Sequence, residues 1–197
     1  MTPGPSGPGA SDTPDGAGSG RRDELPVAVE VDGRTGRWSV DGIPMILVPQ
    51  HLMVNNLAAS EAALGPEAAA DLVRAPGYRA AQTWCARQQA VHGLDEVSVV
   101  HHYLDQLGRR GWGLFCLRSV DVHAGEVEVA VEHSALAEVA GPPTLAGCYL
   151  FSGWIEGALD AARVALGHRP GFHVDETACV TAGAPVCVFS GRVPGDA

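Results

Sequence analysis

The sequence predicts an α+β fold, with helices packed on an antiparallel sheet and a β-hairpin at the C-terminal end. Three observations predict it. Apolar residues between positions 50 and 107 recur at intervals of three and four, whereas segments 114–131 and 172–193 alternate with period two around polar turns. A long amphipathic stripe lies between those two strand-like pairs. Helices and strands thus come in runs, the pattern of an α+β domain rather than of a parallel βαβ sheet.

Composition bounds the rest. A chain of 197 residues with 46% apolar content can bury a core as one domain, or as one domain with an N-terminal elaboration. Thirteen Lys and Arg against 23 Asp and Glu leave a formal charge of −10, which repels phosphate backbones and anionic lipid and argues against direct nucleic-acid binding. No run approaches the ~20 apolar residues of a membrane span, and the N-terminus carries no basic and apolar leader, so a cytoplasmic, non-membrane protein is expected. In that compartment five cysteines, an odd number, point to metal ligands and buried thiols rather than to a disulfide framework.

Residues 1–24 are nearly all Pro, Gly, Ser, Ala, Thr and charge, and read as a disordered tail. Residues 25–44 form an N-terminal extension in which VAVEV, a D-G-R-T-G turn and RWSVDGIPM suggest short strands. The main domain is expected over 45–193. Helical patterning covers Gln50 to Leu64, Pro66 to Val73, Tyr78 to His92 and Asp95 to Leu107; in the last, Val97, Val100, Leu104 and Leu107 are spaced as a core face. A hairpin follows, Leu114 to Val122 and Glu126 to Val131, with valines facing in and glutamates out. The long helix should run from about Leu145 to Leu166, burying Cys148, Phe151, Ile155, Leu159, Ala162 and Leu166 and leaving Glu156, Asp160 and Arg163 outside. Gly153 and Gly157, one turn apart, suggest close approach of another backbone or a ligand, or simply tolerated glycines. Phe172 to Thr181 and Val186 to Val193 complete a second hairpin around A-G-A-P.

The strongest local signal is E-T-A-C-V-T-A-G-A-P-V-C, in which Glu176, Cys179 and Cys187 can meet across the turn. Cys148, near the start of the long helix where the macrodipole lowers a thiol pKa, completes a set of three thiolates and one carboxylate. Such a set fills a tetrahedral shell, favours zinc, leaves no open position and implies a structural role; the alternative is a group of ordinary buried thiols. Residues three apart on a regular strand point to opposite faces, so a bulge or turn is expected between Glu176 and Cys179. Cys85 and Cys116 read as buried thiols.

The Cys, then Glu-x-x-Cys, then seven residues, then Cys arrangement, preceded by a glycine-containing helix and followed by V-F, resembles the C-terminal half of the 4-vinyl reductase domain. ALGPEAAADLVRAPGYRAAQTW is similar to that domain's helical entry, and V-E-H-S-A-L-A-E to the strand end before its long helix. The family occurs as stand-alone proteins and as the sensor module of aromatic-responsive activators, where it resembles a hydrocarbon-binding domain. The resemblance, over about 45–193, implies that Cys148, Glu176, Cys179 and Cys187 ligate zinc, that the ligand is a small hydrophobic molecule and that the protein is a homodimer. Two departures stand out. The Cys148 to Glu176 interval is a few residues long, and Val131 occupies the place of a Trp that holds a phenolic hydroxyl, so phenol specificity does not transfer.

No dinucleotide fingerprint, phosphate loop or nucleophile motif is present. The sequence therefore supports a ligand-binding sensor or accessory protein. The alternative is an enzyme or enzyme subunit, without an organic cofactor, using His101, His102 or Glu132 on a small metabolite. His101, His102, Val131, Trp154 and Gly157 are the candidate ligand-binding residues. Against that role, one histidine could be a satisfied core residue and the other solvated, with the aromatics plain packing.

Overall fold

A computed structural model describes residues 25–140 and 148–194. The proposed tail and the expected helix start at Leu145 lie outside the described residues. The fold is α+β, helices against antiparallel sheets, as the sequence predicts. The extension forms a three-stranded antiparallel meander, β1 (Glu30–Asp32), β2 (Arg37–Val40) and β3 (Ile43–Met45). Then come α1 (Gln50–Leu64), α2 (Pro66–His92) and α3 (Glu96–Arg109), followed by β4 (Leu114–Asp121), β5 (Glu126–Glu132) and the short α4 (Ala135–Ala140). The chain resumes in α5 (Leu150–Ala165), β6 (His173–Ala178), a 3₁₀ turn at Val180–Ala182, and β7 (Cys187–Arg192). The second sheet has the order β4-β5-β7-β6, all antiparallel, so the two expected hairpins join edge to edge through β5 and β7.

The core lies between this sheet and the helices. Phe151, Ile155 and Leu159 of α5 are buried with Val129, Val131 and Phe189 of the sheet and with Val100, Leu104 and Leu107 of α3. Asp95 caps α3, its Oδ1 accepting from Ser98 N–H at 2.7 Å. Val97 does not belong to the buried face as expected; it is 40% exposed, and Val99 and Tyr103 take the inner stripe. The cap starts the helix at Glu96 and leaves Val97 in its first turn.

Three further expectations are corrected. The segments Pro66 to Val73 and Tyr78 to His92 are one helix, with Pro76 inside it. The hydrogen bond that proline forfeits falls where Pro76 and Leu72 are exposed, so water can satisfy the freed carbonyl. Cys116 is exposed rather than buried, because the alternation of β4 turns it away from half-buried Phe115 and Leu117. Glu156, Asp160 and Arg163 are buried rather than outside. Alpha 5 has a second buried face because α2 lies along it, and the glycines set the distance. A Cβ on Gly153 would overlap the carbonyl of Arg74, and one on Gly157 that of Tyr78. Another backbone, then, makes the close approach.

These three buried charges are each partnered. The Glu156 carboxylate accepts from Arg74 Nε at 2.9 and 3.1 Å, from Arg74 Nη2, and from Val174 N–H at 2.8 Å. Asp160 accepts from Tyr78 Oη–H at 2.9 Å and from Gly171 and Phe172 N–H at 2.8 and 3.1 Å. Arg163 donates to the carbonyls of Val122 (2.6 Å) and Arg169 (3.1 Å). These contacts tie the entry of β6 to the α2–α5 pair. Glu156→Gln is expected to cost about 3 kcal/mol, the lower end for breaking a buried pair, because Arg74 is partly exposed and keeps the Val174 carbonyl. Urea titration of both proteins checks this; a midpoint unchanged within error would show that the pair is dispensable.

The meander docks through polar contacts. Asp41, at φ 51°, accepts from Gln88 Nε2 at 2.9 Å and lies 3.3 Å from His92 Nε2. Gln88 is fully buried, and its Oε1 accepts from His102 Nε2 at 2.8 Å. The Gln88 amide holds the Asp41 carboxyl below the usual carboxylate range, and burial lowers the His102 pKa.

Candidate functional site

Four chain segments converge beneath the β6–β7 hairpin. Glu176 comes from β6, Cys179 follows immediately after that strand, Cys187 opens β7, and Cys148 stands two residues before α5. The register of β6 against β7 shifts between Glu176 and Ala178, the irregularity that the three-residue spacing requires. Gly183, at φ 91°, returns the chain after the 3₁₀ turn.

The Sγ atoms of Cys148 and Cys179 each lie 3.8 Å from that of Cys187, and the ligand atoms of the four residues all fall within 4.8 Å of one another. The thiols are unbridged. Glu176 Oε2 accepts from the Cys148 N–H, whereas Oε1 is buried without a hydrogen-bond partner among the described residues. A buried carboxylate oxygen left bare is costly, and a cation answers that cost. Around the cluster, Ser134 Oγ lies 3.2 Å from Cys148 Sγ, Thr181 Oγ1 3.1 Å from Cys179 Sγ, and Val180 N–H donates to Cys187 Sγ at 3.5 Å.

Packed together, three of these four groups hold their protons more tightly than they would in water. Burial pushes Glu176 up to about 7 and Cys179 up to about 11. The hydrogen bond to Cys187 and burial raise the Cys148 thiol, the reverse of the lowering expected from a helix start. Cys187, which receives that hydrogen bond, is lowered to about 6. Cys148, Glu176, Cys179 and Cys187 can therefore hold a metal ion.

The candidate ligand residues are spread rather than gathered. His101 is exposed and borders an open groove with Leu114 and Phe115. His102 is half-buried, bonded to Gln88 and stacked on Trp84 at 5.4 Å. Val131 is fully buried in β5, opposite Phe115 and Cys187. Trp154 covers Gly77 and meets Trp112 edge-on at 4.8 Å, and Gly157 lies against Tyr78. Glu132 is exposed at the end of β5.

Sequence reasoning missed Ser134 and Thr181 beside the thiols, and Gln88 beneath the meander. It also missed Glu156 and Asp160, for which a signal existed: Gly153, Glu156, Gly157 and Asp160 follow the three-and-four spacing of one helix face. If the glycines face a helix, the acids must too.

Fold and cluster together define a class, an α+β domain whose C-terminal hairpin and long helix enclose a site able to hold a metal. Among solved structures, the chain is similar to the phenol-responsive sensory domain of the transcription activator PoxR, determined with phenol. The likeness has a TM-score of 0.67 at 17% identity over 84% of each chain, and shows a shared fold. It also resembles trafficking protein particle complex subunit 3 from Naegleria fowleri, covalently bound to palmitic acid, with TM-score 0.49, 12% identity, and 74% and 95% coverage of the two chains. Residues 24–118 match the model of a family described as a domain of unknown function (DUF5943). That match runs from the meander into β4. No curated protein matches the chain.

Proposed function

We propose that this chain is a zinc-stabilised small-molecule-binding protein of the 4-vinyl reductase domain type, acting in the cytoplasm as a sensor or accessory protein. In this reading residues 45–193 form the binding domain and 25–44 an extension docked on it. The observation that carries the zinc is the sulfur spacing: bonds of about 2.3 Å in a tetrahedron give edges of about 3.8 Å, the separation of both sulfur pairs. The unpartnered Glu176 Oε1 supplies the fourth ligand atom. A closed set of this kind contributes folding free energy rather than a reacting water. The fold it shares with a phenol-responsive sensory domain supports a small hydrophobic ligand. Unbridged thiols fit a reducing compartment.

The same proposal includes a homodimer. Native mass spectrometry of protein purified from its source cell tests all three parts together. The expected spectrum shows about twice the 20.4 kDa chain mass, one zinc per chain and a co-purified small molecule. A monomer free of both zinc and ligand would overturn the reading.

A further inference from the structure

A second feature lies apart from the metal centre, where the meander meets the end of α3. Val27, Trp38, Val40 and Met45 form one wall of a groove of about 270 Å³, and Trp112 and Arg110 the other. Its lining is apolar except for two arginines, with no carboxylate, in a chain whose formal charge is −10. Arg109 is paired with Asp105 at 2.7 Å. Arg110 is not paired. Its Nε donates to the Gln106 carbonyl at 2.9 Å and its guanidinium lies 5.6 Å from the Trp84 ring centre, but no carboxylate partners it among the described residues. Burial works against its charge, yet a guanidinium keeps its proton. A partly desolvated cation among the lining residues of an apolar groove calls for an anion, and a planar fork of N–H donors suits a carboxylate.

We propose that this groove binds a monocarboxylate with an apolar body, its carboxylate on Arg110 and its body between Trp38 and Trp112. A cavity of about 150 Å³ holds one benzene, so this groove suits a body of about six to ten carbons. The proposal rests on the small-molecule reading above and gives that ligand a place and a class, using none of the metal ligands. An apolar surface of a second copy, like any uncharged guest, leaves Arg110 unanswered.

The test compares octanoate with 1-octanol, and 4-phenylbutyrate with 4-phenyl-1-butanol, by calorimetry on the zinc-loaded full chain. Wild type is expected to bind each acid at least about tenfold more tightly than its alcohol, the contribution of a charge-assisted pair. Arg110→Gln should abolish that preference and Arg109→Gln should preserve it. Met45→Trp, which fills the groove, should weaken both acids while leaving zinc content and melting temperature near wild type. Equal binding of acid and alcohol, or an Arg110→Gln variant that still prefers acids, overturns the groove while leaving small-molecule binding intact. The same holds if wild type binds no probe yet carries a different co-purified ligand. If Met45→Trp instead converts a dimer to a monomer without changing acid binding, the groove holds a second copy and the proposal fails.

Discussion

Stripping the metal from the Cys148, Glu176, Cys179, Cys187 cluster is expected to lower the melting temperature by more than about 10 °C. Structural zinc contributes about 10–16 kcal/mol in small zinc domains. This chain has a larger core to fall back on, so only part of that is at stake. A loss of about 5 kcal/mol in a domain of this size corresponds to about 10–20 °C. The loss should be felt in both the long helix and the hairpin, because the proposed ligands come from the entry to α5 and from the β6–β7 hairpin. Cys187→Ala should reproduce the effect, since Cys187 is fully buried and its sulfur sits between the other two. Cys116→Ser on the exposed face of β4 should do nothing. Affinity should weaken as pH falls, because metal must displace protons from Glu176 and the thiols. Thermal denaturation with and without chelator, alongside metal analysis, is the measurement. Less than about half an equivalent of metal, with a melting curve indifferent to chelator, would remove the structural role.

Gly157→Leu is expected to be the most damaging single substitution away from the metal, at about 3 kcal/mol or more. Even the first carbon of a side chain there would overlap the Tyr78 carbonyl and lie 2.9 Å from Ala81 Cβ. Backbone cannot yield as a flexible side chain can, so the two helices must separate. Separating them would also strain the Arg74–Glu156 and Tyr78–Asp160 contacts across the same seam. Gly33→Ala is the control, since nothing lies within 4 Å of its added carbon. The comparison also separates a core from a ligand cavity at this position. Destabilisation of Gly157→Leu without ligand means packed core. A variant that melts like wild type but no longer binds small molecules would instead restore Gly157 to a ligand site.

Much of the fold was legible because its signals are local. The helix that begins near Asp95, the period-two hairpins and the Glu-x-x-Cys turn each depend on residues within a few positions of one another. The cluster able to hold a metal was legible for the same reason, with three of its four residues on one hairpin. What escaped depends on residues far apart. Glu156 reads as an outward helix residue until α2 is known to lie on it, and its partner Arg74 is 82 positions away. His102 reads as either a pocket or a core histidine until Gln88 and the meander's Asp41 are seen beside it.

By itself the sequence determined the fold class, the strand pairs, the long helix and the residues able to take a metal. Periodicity and turn chemistry act over distances that the chain itself spans. Only the tertiary structure decided that the glycine pair seats a second helix, that Glu156 and Asp160 are paired, and that Arg110 lines an apolar groove with no carboxylate partner among the described residues. Each of these turns on which distant surface covers a residue, and burial, charge pairing and cavity shape exist only once two separate segments are packed together.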